Sequence, residues 1–214
     1  MTSAALIRLI LTPLLALSAC LSLTSCGTSV GDYFHGQDKR NKMIVSVKDQ
    51  RMLLVTDGKP VKNYKISTSK FGLGDQPGSN RTPVGHLRVA KKIGCRHPHG
   101  AVFKSRRHTG EILKPNSPGR DPIVTRILWL KGMEDRNKNA FRRTIYIHGT
   151  PEERRLGHPA SFGCIRMSSR DVADLYDRVG YGADVFVVRG SIRNGRSSSQ
   201  GTASSSFTRL FNRG

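Results

Sequence analysis

Residues 43–188 are cut into short β-rich runs by turn residues, and only one stretch carries a helical stripe. Met43-Ile44-Val45-Ser46-Val47 and Arg51-Met52-Leu53-Leu54-Val55 are rich in apolar residues, several of them branched, that suit a pleated, half-buried surface. Asp57-Gly58 follows, a dipeptide that favours the left-handed backbone of a tight hairpin. Residues 61–67 then alternate apolar and polar, as a half-buried returning strand does. Further strands are expected over residues 86–89, opened by Thr82-Pro83-Val84-Gly85, and over 123–130, 143–147 and 184–188. Ser168-Ser169-Arg170-Asp171 fits a capping box at a helix start. Val172, Leu175, Tyr176 and Val179 fall at the i, i+3, i+4, i+7 spacing of one helical face, and Gly180 stops the helix. The pattern predicts a mainly β domain, a sandwich or partly closed barrel with one or two helices.

Two stretches fit neither period. Residues 70–81 are Gly, Asp, Pro, Ser and Asn-rich, and residues 94–122 contain Pro98, Pro115, Pro118 and Pro122. Long loops inside a compact domain usually serve function, so the second is expected to be a lid over a site. The chain ends differ in kind from the body. Arg8 precedes an apolar stretch, residues 9–17, shorter than the ~20 residues of a membrane span. Small residues and cysteines follow, so residues 1–26 are expected to be an export signal of the lipoprotein type. Cys26 in Leu23-Thr24-Ser25-Cys26, or alternatively Cys20 in Leu17-Ser18-Ala19-Cys20, is the candidate lipidated residue. Cys26 is preferred because Gly27-Thr28-Ser29 resembles the start of a tether. Residues 27–41 are then the tether, 42–189 the globular domain, and 190–214 a basic Ser/Gly-rich tail with too little apolar content to offset its chain entropy. The expected location is the cell envelope, lipid-anchored and facing the periplasm. The outer membrane is favoured because neither cysteine is followed by Asp.

The formal net charge is +21. Such a balance points first to nucleic acid, but export and the absence of an aromatic-interleaved basic patch argue against it. Cell-wall polymers and anionic lipid head groups are the expected counter-charges, and the chain is expected to be a monomer. Of the four cysteines, only Cys95 and Cys164 lie in the globular part. A bond between them would silence Cys164; otherwise Cys95 reads as a small packed hydrophobe. Cys95, His97, His99 and His108 match no common zinc spacing, and no metal or cofactor is expected.

The chemically informative segment runs from Ile145 to Met167. His148 ends a strand, and Cys164 sits after a glycine in a turn shortly before the helix cap. A thiol acting as an acyl-transfer nucleophile needs exposure, a base, and donors for the developing oxyanion. His148 is the candidate base. Gly163 lets substrate approach the backbone, and the N–H groups around Gly163 and Cys164 are candidates for the oxyanion hole.

This segment resembles the signature of the L,D-transpeptidase catalytic-domain family: His-Gly, a spacer, then Ser/Thr-His-Gly-Cys, a hydrophobic residue, and Arg or Asn. His148-Gly149, Ser161, Gly163, Cys164, Ile165 and Arg166 match in order and spacing. Upstream, the run from Val45 to Leu53, the Asp57-Gly58 hairpin, Ser67-Thr68-Ser69, the run from Thr82 to Leu87, and Trp129 fit the same family. The resemblance covers roughly residues 43–189. One position departs from it: Phe162 stands where the family usually has His.

The resemblance implies a cysteine acyltransferase acting on peptidoglycan stem peptides. Cys164 would form a thioester at the third residue of a tetrapeptide, releasing D-Ala. An incoming amine would then give a 3–3 cross-link or attach a protein. Water as acceptor would make an L,D-carboxypeptidase or an amidase, and a dead site would leave a peptidoglycan-binding lipoprotein. The backbone carbonyl of Gly149 would orient His148, and Phe162 would help shape the pocket. Ser161 would fix the loop or bind substrate, and Arg166 would pair a substrate carboxylate or, alternatively, Asp171 or Asp174.

Overall fold

In the computed structural model, which describes residues 37–192, Asp57 (φ 50) and Gly58 (φ 77) turn the chain between β2 (Arg51–Thr56) and β3 (Lys59–Lys65). Both left-handed positions are those the Asp-Gly pair tolerates best. The expected signal segment, with Cys20 and Cys26, lies outside the described residues, as does the tail from residue 193. β2 also pairs antiparallel with β1 (Asn41–Ser46), whose other edge runs parallel to β10 (Asp184–Val188). β10 is antiparallel to β4 (Gly85–Ile93), and β4 to β7 (Ile123–Gly132). β7 is the long strand on which the site is built. It pairs with β8 (Tyr146–Gly149), which pairs in parallel with β9 (Ile165–Met167). It also pairs with β5 (Ala101–Lys104), itself joined to β6 (Arg107–Ile112). The ten strands form one mixed sheet, not closed into a barrel. The mainly β expectation with one helix holds, as a mixed sheet that is not closed into a barrel.

Period-two alternation sorts the core. Met43, Val45, Met52 and Leu54 face the main cluster, while Ile44, Leu53 and Val55 build a smaller one on the opposite face. The main cluster is closed by the single α-helix among the described residues, α1 (Ser169–Arg178), which packs on β7 and β8. Val172, Leu175, Tyr176 and Val179 are all buried in it, as their spacing predicts. Ser168 is the N-cap: its side chain accepts from the Asp171 N–H at 3.0 Å, a contact worth about 1 kcal/mol in comparable helices. At the other end the Lys92 ammonium donates to the Tyr176 and Val179 carbonyls, both at 2.7 Å, so a cation meets the negative end of the helix dipole.

Four boundaries differ from expectation. Residues 94–122 are not a structureless lid. They contain the β5–β6 hairpin, turned at Ser105 (φ 50) and Arg106 (φ 67), with only the flanks irregular. The expected strand at 143–147 begins at Tyr146 and runs to Gly149, because Thr144 adopts φ 56 and breaks the ladder. The tether does not extend to residue 41. Asp38 accepts from the Gly180 N–H at 2.7 Å and its own N–H donates to the Tyr181 carbonyl at 2.7 Å, docking the chain before β1. The tail does not start at 190 either, since Ser191 Oγ and the Ile192 N–H both donate to Asp49 at 2.8 Å.

Candidate active site

β8 is buried along its whole length, and its register with β9 sets Ile147 against Ile165 and His148 against Arg166. Cys164, one residue before β9, is therefore level with Tyr146. Register partners in a parallel pair share a face, and alternate residues return to it. His148 and Cys164 are thus diagonal neighbours on one side of the sheet. The Tyr146 N–H points at Cys164 Sγ at 3.4 Å, and the thiol donates to the Thr144 carbonyl at 3.5 Å. His148 Nδ1 lies 2.7 Å from the Gly149 carbonyl oxygen. That contact fixes the ring, and with Nδ1 as the donor it leaves Nε2 as the basic nitrogen. The thiol is not hydrogen-bonded to His148 in this ground state.

The electrostatics of the pair follow from its burial. Desolvation pushes the Cys164 thiol up to about 11, opposed by the Tyr146 N–H and by the charges of Arg166 and Arg143. Desolvation pushes His148 down to about 4; the Gly149 carbonyl acts against this shift and the Arg166 charge adds to it. At neutral pH the resting pair is a thiol beside a neutral imidazole. Cys164 is a free thiol, so the silencing bond to Cys95 does not form. Its side chain packs beside Ala101, Phe103, Ile127 and Tyr146, and Trp129 joins the same cluster.

The cysteine turn is held by residues from distant parts of the chain. Ser161 Oγ donates to the Cys164 carbonyl at 2.6 Å and accepts from the Gly163 N–H at 3.2 Å. Thr82 Oγ1 donates to the Gly163 carbonyl at 3.0 Å and accepts from the Ser69 N–H at 2.9 Å. Ser69 bridges to Ser161, and Ser67 to Arg166. The Ser67-Thr68-Ser69 and Thr82 segments therefore form the bed of the turn. Gly163 adopts φ 120, and a Cβ there would lie 3.3 Å from the Arg81 carbonyl oxygen, so this position favours glycine on both counts.

In front of the thiol is a cleft of roughly 420 Å³ lined by Cys164, Phe162, Thr144, Ile145, Arg142, Arg143 and the loop residues Pro77, Gly78 and Asn80. Arg143 staples that loop. Its guanidinium pairs with Asp75 at 3.0 Å, both side chains buried, and donates to the Gly74 and Arg81 carbonyls. The Asn139 N–H adds a 2.6 Å bond to Asp75. Phe162 is exposed at the rim, against Phe71 at 5.6 Å between ring centroids.

The profile of the YkuD family, described as the L,D-transpeptidase catalytic domain, matches residues 40–188. The chain belongs to that family. Solved structures similar to it include an L,D-transpeptidase from Mycobacterium smegmatis, with 19% identity, 69% of this chain and 58% of that one covered, and a TM-score of 0.44. Another is the L,D-transpeptidase from Xylanimonas cellulosilytica, with 18% identity, 72% and 62% covered, and a TM-score of 0.46. A third is the C442S variant of Enterococcus faecium L,D-transpeptidase, with 18% identity, 70% and 50% covered, and a TM-score of 0.45. The chain thus spans less than two thirds of the length of these structures. No curated protein matches it.

Within this L,D-transpeptidase domain, the expected roles of Arg166 and Gly163 change, and that of Ser161 narrows to the first of its two alternatives. Arg166 is not presented to substrate. It is buried, paired with Asp121 at 2.6 Å and flanked by Glu152 at 3.7 Å, and neither Asp171 nor Asp174 is its partner. Asp174 instead binds Lys62, Tyr64 and Arg178. Ser161 is fully buried and fixes the loop, so it does not line the cleft. The Gly163 N–H is committed to Ser161 Oγ and does not point into the cleft as an oxyanion donor. Phe162 does line the cleft, as expected of a pocket-shaping residue. His148 does not line it and is buried. His97 and His108 approach to 4.5 Å between ring centroids, with no third ligand among the described residues. Asp75, Asp121, Arg142 and Arg143 were not legible as site residues. Thr82 carried a signal only through the run from Thr82 to Leu87.

Proposed function

We propose that this domain is a peptidoglycan L,D-transpeptidase working through a Cys164 thioester. The observation that carries the proposal is a free thiol at the wall of a cleft, set diagonally across β8 and β9 from an imidazole held by the Gly149 carbonyl. Donor binding turns the thiol from Thr144 towards His148. The imidazole takes the thiol proton as sulfur attacks the carbonyl of the third residue of a stem tetrapeptide. The carbon–nitrogen bond to D-Ala breaks, and His148 returns the proton to the leaving amine. An amine of a second stem then attacks the thioester, regenerating the thiol and closing a 3–3 cross-link. Deprotonation concerted with attack suits a resting pair that is neutral on both sides. The Tyr146 N–H, already aimed at sulfur, stabilises the thiolate character of the transition state. The setting that fits this substrate is the envelope, reached by export and held there by a lipid on Cys26 or Cys20.

Incubating tetrapeptide donor with the wild type and with Cys164→Ala, followed by mass spectrometry, tests the proposal. The expected result is a 3–3 dimer and free D-Ala from the wild type only. Tripeptide without dimer identifies water as the acceptor, and identical profiles from the two proteins overturn the thioester mechanism.

A further inference from the structure

The cleft in front of Cys164 has no carboxylate in its lining. Of its two arginines, Arg143 is neutralised by buried Asp75. Arg142 is exposed, has no ion-pair partner among the described residues, and makes only a 3.3 Å bond to the Asn139 amide oxygen. A second cation stands at the rim. Lys70 Nζ sits 4.5 Å above the Phe162 ring centroid and 5.2 Å from that of Phe71, again with no ion-pair partner among the described residues. Two uncompensated cations beside a concave surface with low-dielectric walls concentrate anions at its mouth. A guanidinium fork supplies the directional, two-point hydrogen bonding that a carboxylate takes up. The arginine of the cysteine turn cannot do this, because Asp121 and Glu152 already occupy it.

We infer that Arg142 is a specificity-determining residue that binds a carboxylate of the acyl donor, with Lys70, held over Phe162, as the second cation of the same anion-recognition site. This rests on the proposed function for the identity of the donor, whose stem peptide offers two candidate carboxylates: that of the terminal residue and that on the diamino-acid side chain. Phe162 has its own part in the arrangement. Where the family usually places an imidazole, this chain places a ring that carries Lys70.

The test measures release of the terminal residue, as D-Ala or, from the terminal amide, as D-alaninamide, by the wild type, Arg142→Gln, Arg142→Lys and Lys70→Gln. Three donors are used: the free tetrapeptide, its terminal amide, and its diamino-acid side-chain amide. Arg142→Gln is expected to raise KM at least tenfold for the free peptide with a much smaller change in kcat, and Arg142→Lys to restore part of it. One of the two amides should be a poor donor for the wild type yet be hardly worsened further by Arg142→Gln; that amide identifies the carboxylate bound. Equal KM for wild type and Arg142→Gln, or full additivity with both amides, overturns the inference while leaving the proposed reaction standing. A second measurement is independent of any donor. Cys164 is alkylated with anionic iodoacetate and with neutral iodoacetamide, and the ratio of rates is compared across the variants. The ratio should fall several-fold in Arg142→Gln and Lys70→Gln while the iodoacetamide rate stays put. An unchanged ratio counts against anion recognition even if no donor is turned over.

Discussion

At the residue scale, the chemistry of Cys164 and His148 is dominated by what surrounds them. A thiol pushed up to about 11 is almost wholly protonated at neutral pH. Alkylation of the resting protein by iodoacetamide is therefore expected to be slow at pH 7 and to keep accelerating through pH 9. A rate that levels off by pH 7 would contradict a neutral resting pair. His148 makes the complementary prediction for stability. The unfolded imidazole takes up its proton near its ordinary value of about 6.5, whereas the folded one does so only near 4. Between those values the unfolded state holds more protons, so stability falls as pH falls. Urea denaturation should show a loss of roughly 3 kcal/mol between pH 6.5 and 4 in the wild type that His148→Gln does not share. Arg166 illustrates how a residue type alone misleads. An arginine two places after a nucleophile invites a substrate role, and only the packing reveals that Asp121, far away in sequence and just before β7, holds it.

At the scale of elements, β7 and the 70–81 loop set the geometry. Gly149 packs so tightly on β7 that a Cβ would lie 2.6 Å from the Val124 carbonyl oxygen. Gly149→Ala should displace the end of β8 and depress D-Ala release more than a hundredfold, while circular dichroism retains the β signature. The Asp75–Arg143 pair is buried on both sides, and removing one partner of such a pair costs about 3–5 kcal/mol. Asp75→Ala is thus expected to lower the urea midpoint and speed amide exchange across residues 70–81; unchanged exchange there would show that the staple does not hold the loop. The elements that were legible beforehand are those with a strong period or a specific turn pair: β1, β2, β3, β7, β10 and α1. β9 was not, because three residues carry no period. The β5–β6 hairpin was hidden because Ser105-Arg106 is not a turn signal. Its outer strand, Arg107–Ile112, also lies at the sheet edge with no apolar face to alternate. Of the site, Cys164, His148, Gly149 and Gly163 were visible as a motif. The ion pairs and the Arg142 cation were not, since each depends on which distant loop the fold brings alongside.

At the scale of the whole molecule, a charge of +21 makes association with an anionic polymer sensitive to salt. Binding to isolated cell-wall sacculi should fall steeply between 0.05 and 0.5 M salt, equally for the wild type and Cys164→Ala, if charge rather than the catalytic pair drives capture; a salt-insensitive interaction would argue for shape recognition. The pairing of β1 with β10 has a mechanical consequence. The two strands run parallel over five registered pairs, from Lys42–Asp184 to Ser46–Val188, so the chain enters the sheet at one end of this ladder and leaves it at the other. Tension between the segment preceding β1 and the segment following β10 loads those rungs together in shear, not one after another as in unzipping. A pull applied at residues 41 and 188 would therefore be borne by this five-pair ladder as a block before any force reached the cysteine turn.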